Sequence, residues 1–188
     1  VVKPLTPKFK EGKSLVKLAK DNNVYGGVEF HKRFDKQNRI LRDLYNQNQL
    51  GTPLYTWTEY SQRKSIPSKI FNSWVHNNNI LQYLGVHYID IIRFVTKAKP
   101  KRVMAIGQKT FLKNLGFEIH DSIQCIIEWE TTSQDKFSQT LLVNWIDPER
   151  SSSMSDQKIK FVVICRDRTL NTFTRHNDTA HLFVALFR

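Results

Sequence analysis

Asp121-Ser122-Ile123-Gln124-Cys125-Ile126-Ile127-Glu128-Trp129, a polar break at Thr131-Thr132-Ser133-Gln134-Asp135-Lys136, then Phe137-Ser138-Gln139-Thr140-Leu141-Leu142-Val143-Asn144-Trp145: this stretch decides the fold class. Two runs rich in β-branched and aromatic residues, joined by a short polar connection, describe neighbouring antiparallel strands. Residues 102–111 upstream have the same character, and so do residues 158–165 after the Ser151-Ser152-Ser153-Met154-Ser155 linker. The helical patterns all come before these runs rather than between them. The expectation is an α+β domain, a mostly antiparallel sheet covered on one face by helices.

Upstream, residues 12–22 alternate apolar and basic positions at helical spacing, and residues 24–30 read as a short strand. A helix follows over 36–49 through Ile40, Leu41, Leu44 and Tyr45. Gly51-Thr52-Pro53 breaks it, and residues 54–60 alternate as a strand. A central helix is expected over 78–96, with Ile80, Leu84, Tyr88, Ile91 and Val95 as its core stripe. Tyr83, His87 and Asp90, spaced i, i+4 and i+7, share a second face carrying a phenol, an imidazole and a carboxylate. Such a face suits proton handling or substrate orientation. A histidine on a half-apolar helix suits a structural role equally well.

Composition sets the outer bounds. The chain has 188 residues, 40% of them hydrophobic, with 12 Phe, 6 Tyr and 4 Trp, enough for one substantial core. No run of about 18 apolar residues occurs, so a membrane span is not expected. The N-terminus lacks the hydrophobic stretch of a signal peptide, and a cytoplasmic location is expected. The first residue is Val rather than Met, which reads as a processed, trimmed or incomplete chain. Two cysteines, Cys125 and Cys165, form no disulfide framework and no metal-ligand spacing. The net charge of +12 comes from scattered lysines and arginines without interleaved stacking aromatics. A basic nucleic-acid-binding domain is therefore the weakest of the function classes considered.

Three motifs, in order, resemble the glucose–fructose oxidoreductase / inositol dehydrogenase / MocA family. Val2-Lys3-Pro4-Leu5 looks like the tail of its Glu-Lys-Pro motif, with Val2 at the acidic position. Val28-Glu29-Phe30-His31-Lys32-Arg33-Phe34-Asp35 is similar to its Arg-Phe-Asp-Pro element, with Lys36 replacing the proline. Gly85-Val86-His87-Tyr88-Ile89-Asp90 matches its Gly-x-His-x-x-Asp helix motif. Tyr83 stands where the family often has an acid, and Asn77-Asn78-Asn79 replaces a Gly-rich turn.

The resemblance implies an NAD(P)-dependent oxidoreductase transferring hydride between a nicotinamide and a hydroxyl or keto carbon of a sugar or polyol. It implies Lys3 as catalytic lysine, with Lys3 and Pro4 at the cofactor, and His87 as the residue that orients the substrate or exchanges its proton. Tyr83, Asp90, Arg33 and Trp74 are the candidate substrate-binding residues. No Gly-x-Gly-x-x-Gly follows a strand, so the phosphate-cradling turn of an NAD or NADP site is not in this sequence. The expected organisation is a dinucleotide-domain remnant over 1–30, an α+β substrate and oligomerisation domain over 31–165, and an atypical tail over 166–188. The whole reads as a truncated or fragmentary chain. A homo-oligomer through the sheet face is implied, and a non-catalytic oligomerisation module is the alternative function.

Overall fold

A computed structural model of the protein describes residues 1–147, 158–165, 169–174 and 181–185. Helix α1 spans Phe9–Asp21 and α2 Lys36–Asn46. Strand β1 (Pro53–Arg63) precedes helix α3 (Val86–Thr96). Strand β2 (Lys99–Gln108), the single turn α4 (Phe111–Asn114), β3 (Ser122–Glu130) and β4 (Lys136–Asp147) follow, and then β5 (Lys158–Cys165), β6 (Thr169–Thr174) and β7 (His181–Ala185).

The expected α+β architecture is what forms. The seven strands among the described residues make one sheet in the order β2-β3-β4-β1-β5-β6-β7. The β2-β3-β4 meander is antiparallel, in a register that sets Ile126 opposite Thr140 and Cys125 opposite Leu141. The sheet is nevertheless mixed, because β1 lies parallel to β4 and antiparallel to β5. A strand arriving before the helices and a meander arriving after them share the sheet centre, so their common direction is set by the long crossover between them. Residues 169–174 and 181–185, in the expected atypical tail, extend this same sheet. The Ser151–Ser155 linker lies outside the described residues.

One face of the sheet is buried by the helices. The stripe expected over 78–96 reads as expected: Ile80, Leu84, Tyr88, Ile91 and Val95 are all in the core. It meets Ile123, Cys125, Ile127 and Trp129 of β3 and Phe137, Leu141, Val143 and Trp145 of β4. A buried polar seam locks the layers: Gln139 donates to the Tyr88 carbonyl (3.2 Å) and accepts from Trp129 Nε1 (3.1 Å). Asp121 behaves as a structural turn residue, its Oδ2 accepting the backbone N–H groups of Thr110, Phe111 and Leu112.

Two local expectations change. The expected strand over 24–30 reduces to one parallel bridge, Val2 with Glu29, because no further strand is present there to extend the ladder. The helix expected over 78–96 is two pieces, a π-helical turn at Leu81–Gly85 running into α3. The wider turn accompanies close packing, since Gly85 sits where a Cβ would meet Leu81 Cδ1 at 2.5 Å and Leu141 Cδ2 at 3.3 Å.

Candidate active site

The π-turn and α3 divide the three-residue face into separate environments. Tyr83 lies in the wide turn, inside an aromatic group: Phe71, Trp74 and Trp145 have ring centroids 5.3, 5.4 and 6.0 Å from its own. Trp74 is thus a wall of the Tyr83 environment. Lys3 reaches the same place from the N-terminal segment, 80 residues earlier in the chain. Its Nζ donates to the Tyr83 backbone carbonyl and stands 4.2 Å from the Tyr83 ring centroid. The segment is held there by the Val2–Glu29 bridge and by Gln82, whose Nε2 donates to the Pro7 carbonyl at 2.9 Å. The Lys3–Pro4 peptide is cis.

Burial, without a carboxylate among the described residues to offset it, pushes the Lys3 ammonium down to about 8. That is the range in which a lysine exchanges protons near neutrality.

His87 is 2% exposed, and its Nδ1 has no hydrogen-bond partner among the described residues. Burial, then the charges of Lys3, His31 and Lys32, push its pKa down to about 3, so the imidazole is neutral at physiological pH. Phe30 and His31 pack against it edge-to-face, with centroids at 6.3 and 4.4 Å. Asp90, one turn on, does not share that environment. Its carboxylate accepts from Arg33 Nε at 2.7 Å and from Nη2 at 2.5 Å. Arg33 also lies over the rings of Phe30 and Phe94, at 5.1 and 5.5 Å. Both groups are committed to each other, and together they fasten the 3₁₀ turn His31–Phe34 onto α3.

The structure therefore brings together Lys3, Tyr83 and Trp74, and sets His87 within electrostatic reach of Lys3. Sequence reasoning missed Phe71 and Trp145 around Tyr83, and Phe30 and His31 around His87. The signal for the last two was their place in the 28–35 element, two and three residues before Arg33.

The GFO/IDH/MocA C-terminal domain matches residues 38–170. The chain belongs to this family. Solved structures agree at the level of the fold. An inositol dehydrogenase homologue from Azotobacter vinelandii, complexed with NADH and myo-inositol, superposes with TM-score 0.75 at 16% identity, over 97% of this chain and 48% of that one. An oxidoreductase from Sinorhizobium meliloti gives 0.73 at 15%, over 97% and 49%. UDP-N-acetylglucosamine 3-dehydrogenase from Acidithiobacillus ferrooxidans gives 0.68 at 16%, over 100% and 55%. The chain spans about half the length of these structures. No curated protein matches the chain. Among the described residues, no group of three metal-ligating side chains occurs and no helix is long and apolar enough to cross a membrane.

Proposed function

We propose that this chain is the substrate-side part of an NAD(P)-dependent GFO/IDH/MocA dehydrogenase acting on a hydroxyl or keto carbon of a sugar or polyol. The observation that carries this reading is Lys3, which comes from the N-terminal segment to stand over the aromatic-walled Tyr83 ring and whose charge acts on the buried His87 of α3. Residues 1–30 are read as the last piece of a dinucleotide-binding domain. The parallel Val2–Glu29 bridge supports this, together with α1, which has no buried residue and leaves Phe9, Leu15, Val16 and Leu18 exposed. A parallel ladder with its crossover helix needs more sheet beneath it. Cys125 and Cys165 are both buried and not joined in a disulfide, which suits a reducing, cytoplasmic setting.

The residues at the reacting end fit a nicotinamide partner: a half-buried lysine with no carboxylate among the described residues, beside a buried neutral imidazole. Lys3 and Pro4 would lie against the nicotinamide, which when bound would exchange hydride with the carbinol carbon. The two side chains then divide the remaining work. Lys3, neutral above about pH 8, accepts the hydroxyl proton during oxidation and returns it during reduction. His87, neutral throughout, accepts a hydrogen bond and orients the hydroxyl. Trp74 and Tyr83 supply flat apolar surface for a sugar face.

The sheet's open face supports a homo-oligomer. Tyr55, Met104, Ile106 and Ile126 lie on it and are exposed, in register with Trp57, Thr140 and Leu142.

The test uses this chain joined behind a complete dinucleotide-binding domain. Reduction of NAD or NADP with myo-inositol and a panel of hexoses should rise with pH through about 8. Lys3→Ala and His87→Ala should each lower kcat/KM by about 10²-fold or more. An extended protein that turns over no polyol, or variants that keep the full rate, would refute the reading.

A further inference from the structure

His31 stands outside every role given above, yet it makes the closest ring contact to His87, with centroids 4.4 Å apart and planes at 63°. A histidine that orients a ligand is ordinarily fixed through its second nitrogen, which donates to a carbonyl or carboxylate. Among the described residues nothing supplies that restraint to His87, whose buried Nδ1 has no hydrogen-bond partner there. What holds the ring is packing: Phe30 from one side at 87°, His31 from another. The holding element is itself held. His31 opens the 3₁₀ turn His31–Phe34, and the paired hydrogen bonds from Arg33 to Asp90 pin that turn to the helix carrying His87. His31 is exposed while His87 is 2% exposed, so the outer imidazole stands between the inner one and solvent.

We infer that His31 is a positioning residue for His87, its ring fixing the plane of the buried imidazole and keeping water from it. The inference rests on the functional reading of His87 and adds a residue to it. The charged groups acting on His31 are Lys32, Asp35, Lys3 and Glu29, and those acting on His87 are Lys3, His31 and Lys32. No carboxylate among these acts on His87 directly. Exclusion of water is therefore the main reason its imidazole stays neutral, and removal of the His31 ring should let it charge.

The imidazole nitrogen resonances of the 188-residue chain, followed by NMR from pH 8 to pH 5, test this without any turnover. In the native chain the His87 signals should stay those of a neutral ring throughout. In His31→Ala they should begin to move toward the protonated form, with protonation at least about one pH unit higher than in the native chain. His31→Phe, which restores a ring without a charge, should behave like the native chain. In the extended enzyme His31→Ala should lower kcat about tenfold with little change in KM, and His31→Phe should recover most of it. An unchanged His87 titration in His31→Ala, or a His31→Phe variant that behaves like His31→Ala, overturns the inference. A native His87 that titrates near 6.5 overturns the site reading itself, and with it the inference.

Discussion

Replacing Arg33 by Met tests whether the Arg33–Asp90 pair is the clamp that sets the 28–35 element on α3. The methionine keeps an aliphatic stem of similar length, so the guanidinium, its donors and its place over the Phe30 and Phe94 rings are what is lost. Asp90 is left with a side chain 9% exposed and without the two hydrogen bonds it accepts from the guanidinium. Breaking a fully buried pair costs about 3–5 kcal/mol, while a surface pair contributes about 1 kcal/mol or less. The Arg33 side chain is 40% exposed, so water screens one partner and not the other. The expected loss is therefore about 2 kcal/mol, or a drop of roughly 4–8 °C in Tm for a chain of this length. Asp90→Leu alone strands a half-exposed cation and should cost less. In the double variant the stranded carboxylate is gone, so urea unfolding of the four proteins should return a coupling energy of about 1–2 kcal/mol. Single-variant losses that add to within about 0.3 kcal/mol would refute the clamp and with it the account of how His31 and Phe30 are held at His87.

Other outcomes follow from the same geometry. Gly85→Ala drives a methyl into Leu81 Cδ1 and against Leu141 Cδ2, and Leu141 is fully buried. It should cost about 1–3 kcal/mol, measured by thermal unfolding, and a neutral substitution would mean that the π-turn relaxes freely. Gln139→Leu removes the partner of both Trp129 Nε1 and the Tyr88 carbonyl in a fully buried seam, and should cost about 1–3 kcal/mol by urea unfolding. His87 gives a pH signature. Folded, it takes a proton only near 3, against an ordinary value of 6.5, so between these the unfolded chain binds more protons and acid favours unfolding. Stability should fall by about 2 kcal/mol from pH 7 to pH 5, and His87→Phe should flatten that dependence. An unchanged slope in the variant would show that other groups carry the acid response.

The parts of the molecule legible in the sequence are those whose physics is local or periodic. The β-branched and aromatic content of 121–129 and 137–145, bounded by a polar break, announced β3 and β4, since each strand buries one side in the core. The apolar stripe from Ile80 to Val95 held for the same reason, with one apolar side facing one core. What periodicity does not carry is direction and partner. The parallel match of β1 to β4 depends on a crossover of more than 70 residues, and no local pattern in 53–63 distinguishes a parallel neighbour from an antiparallel one. The expected strand over 24–30 failed in the complementary way, since its residues suit a strand but a ladder needs neighbours.

The site shows the same division more sharply. Helical spacing placed Tyr83, His87 and Asp90 on one face, which treats the helix as uniform. The π-turn at Leu81–Gly85 breaks that uniformity at Gly85, so Tyr83 turns toward Phe71, Trp74 and Trp145 while His87 and Asp90 stay with α3. Asp90, grouped with the substrate by spacing, is committed to Arg33, also grouped with the substrate by motif. Each was assigned outward to a ligand because a sequence cannot show that two charges 57 positions apart neutralise each other. Their mutual pairing spends both charges on fastening the His31–Phe34 turn to α3. Burial of its ammonium, rather than any single motif, is why Lys3 holds its proton weakly enough to exchange it near neutral pH.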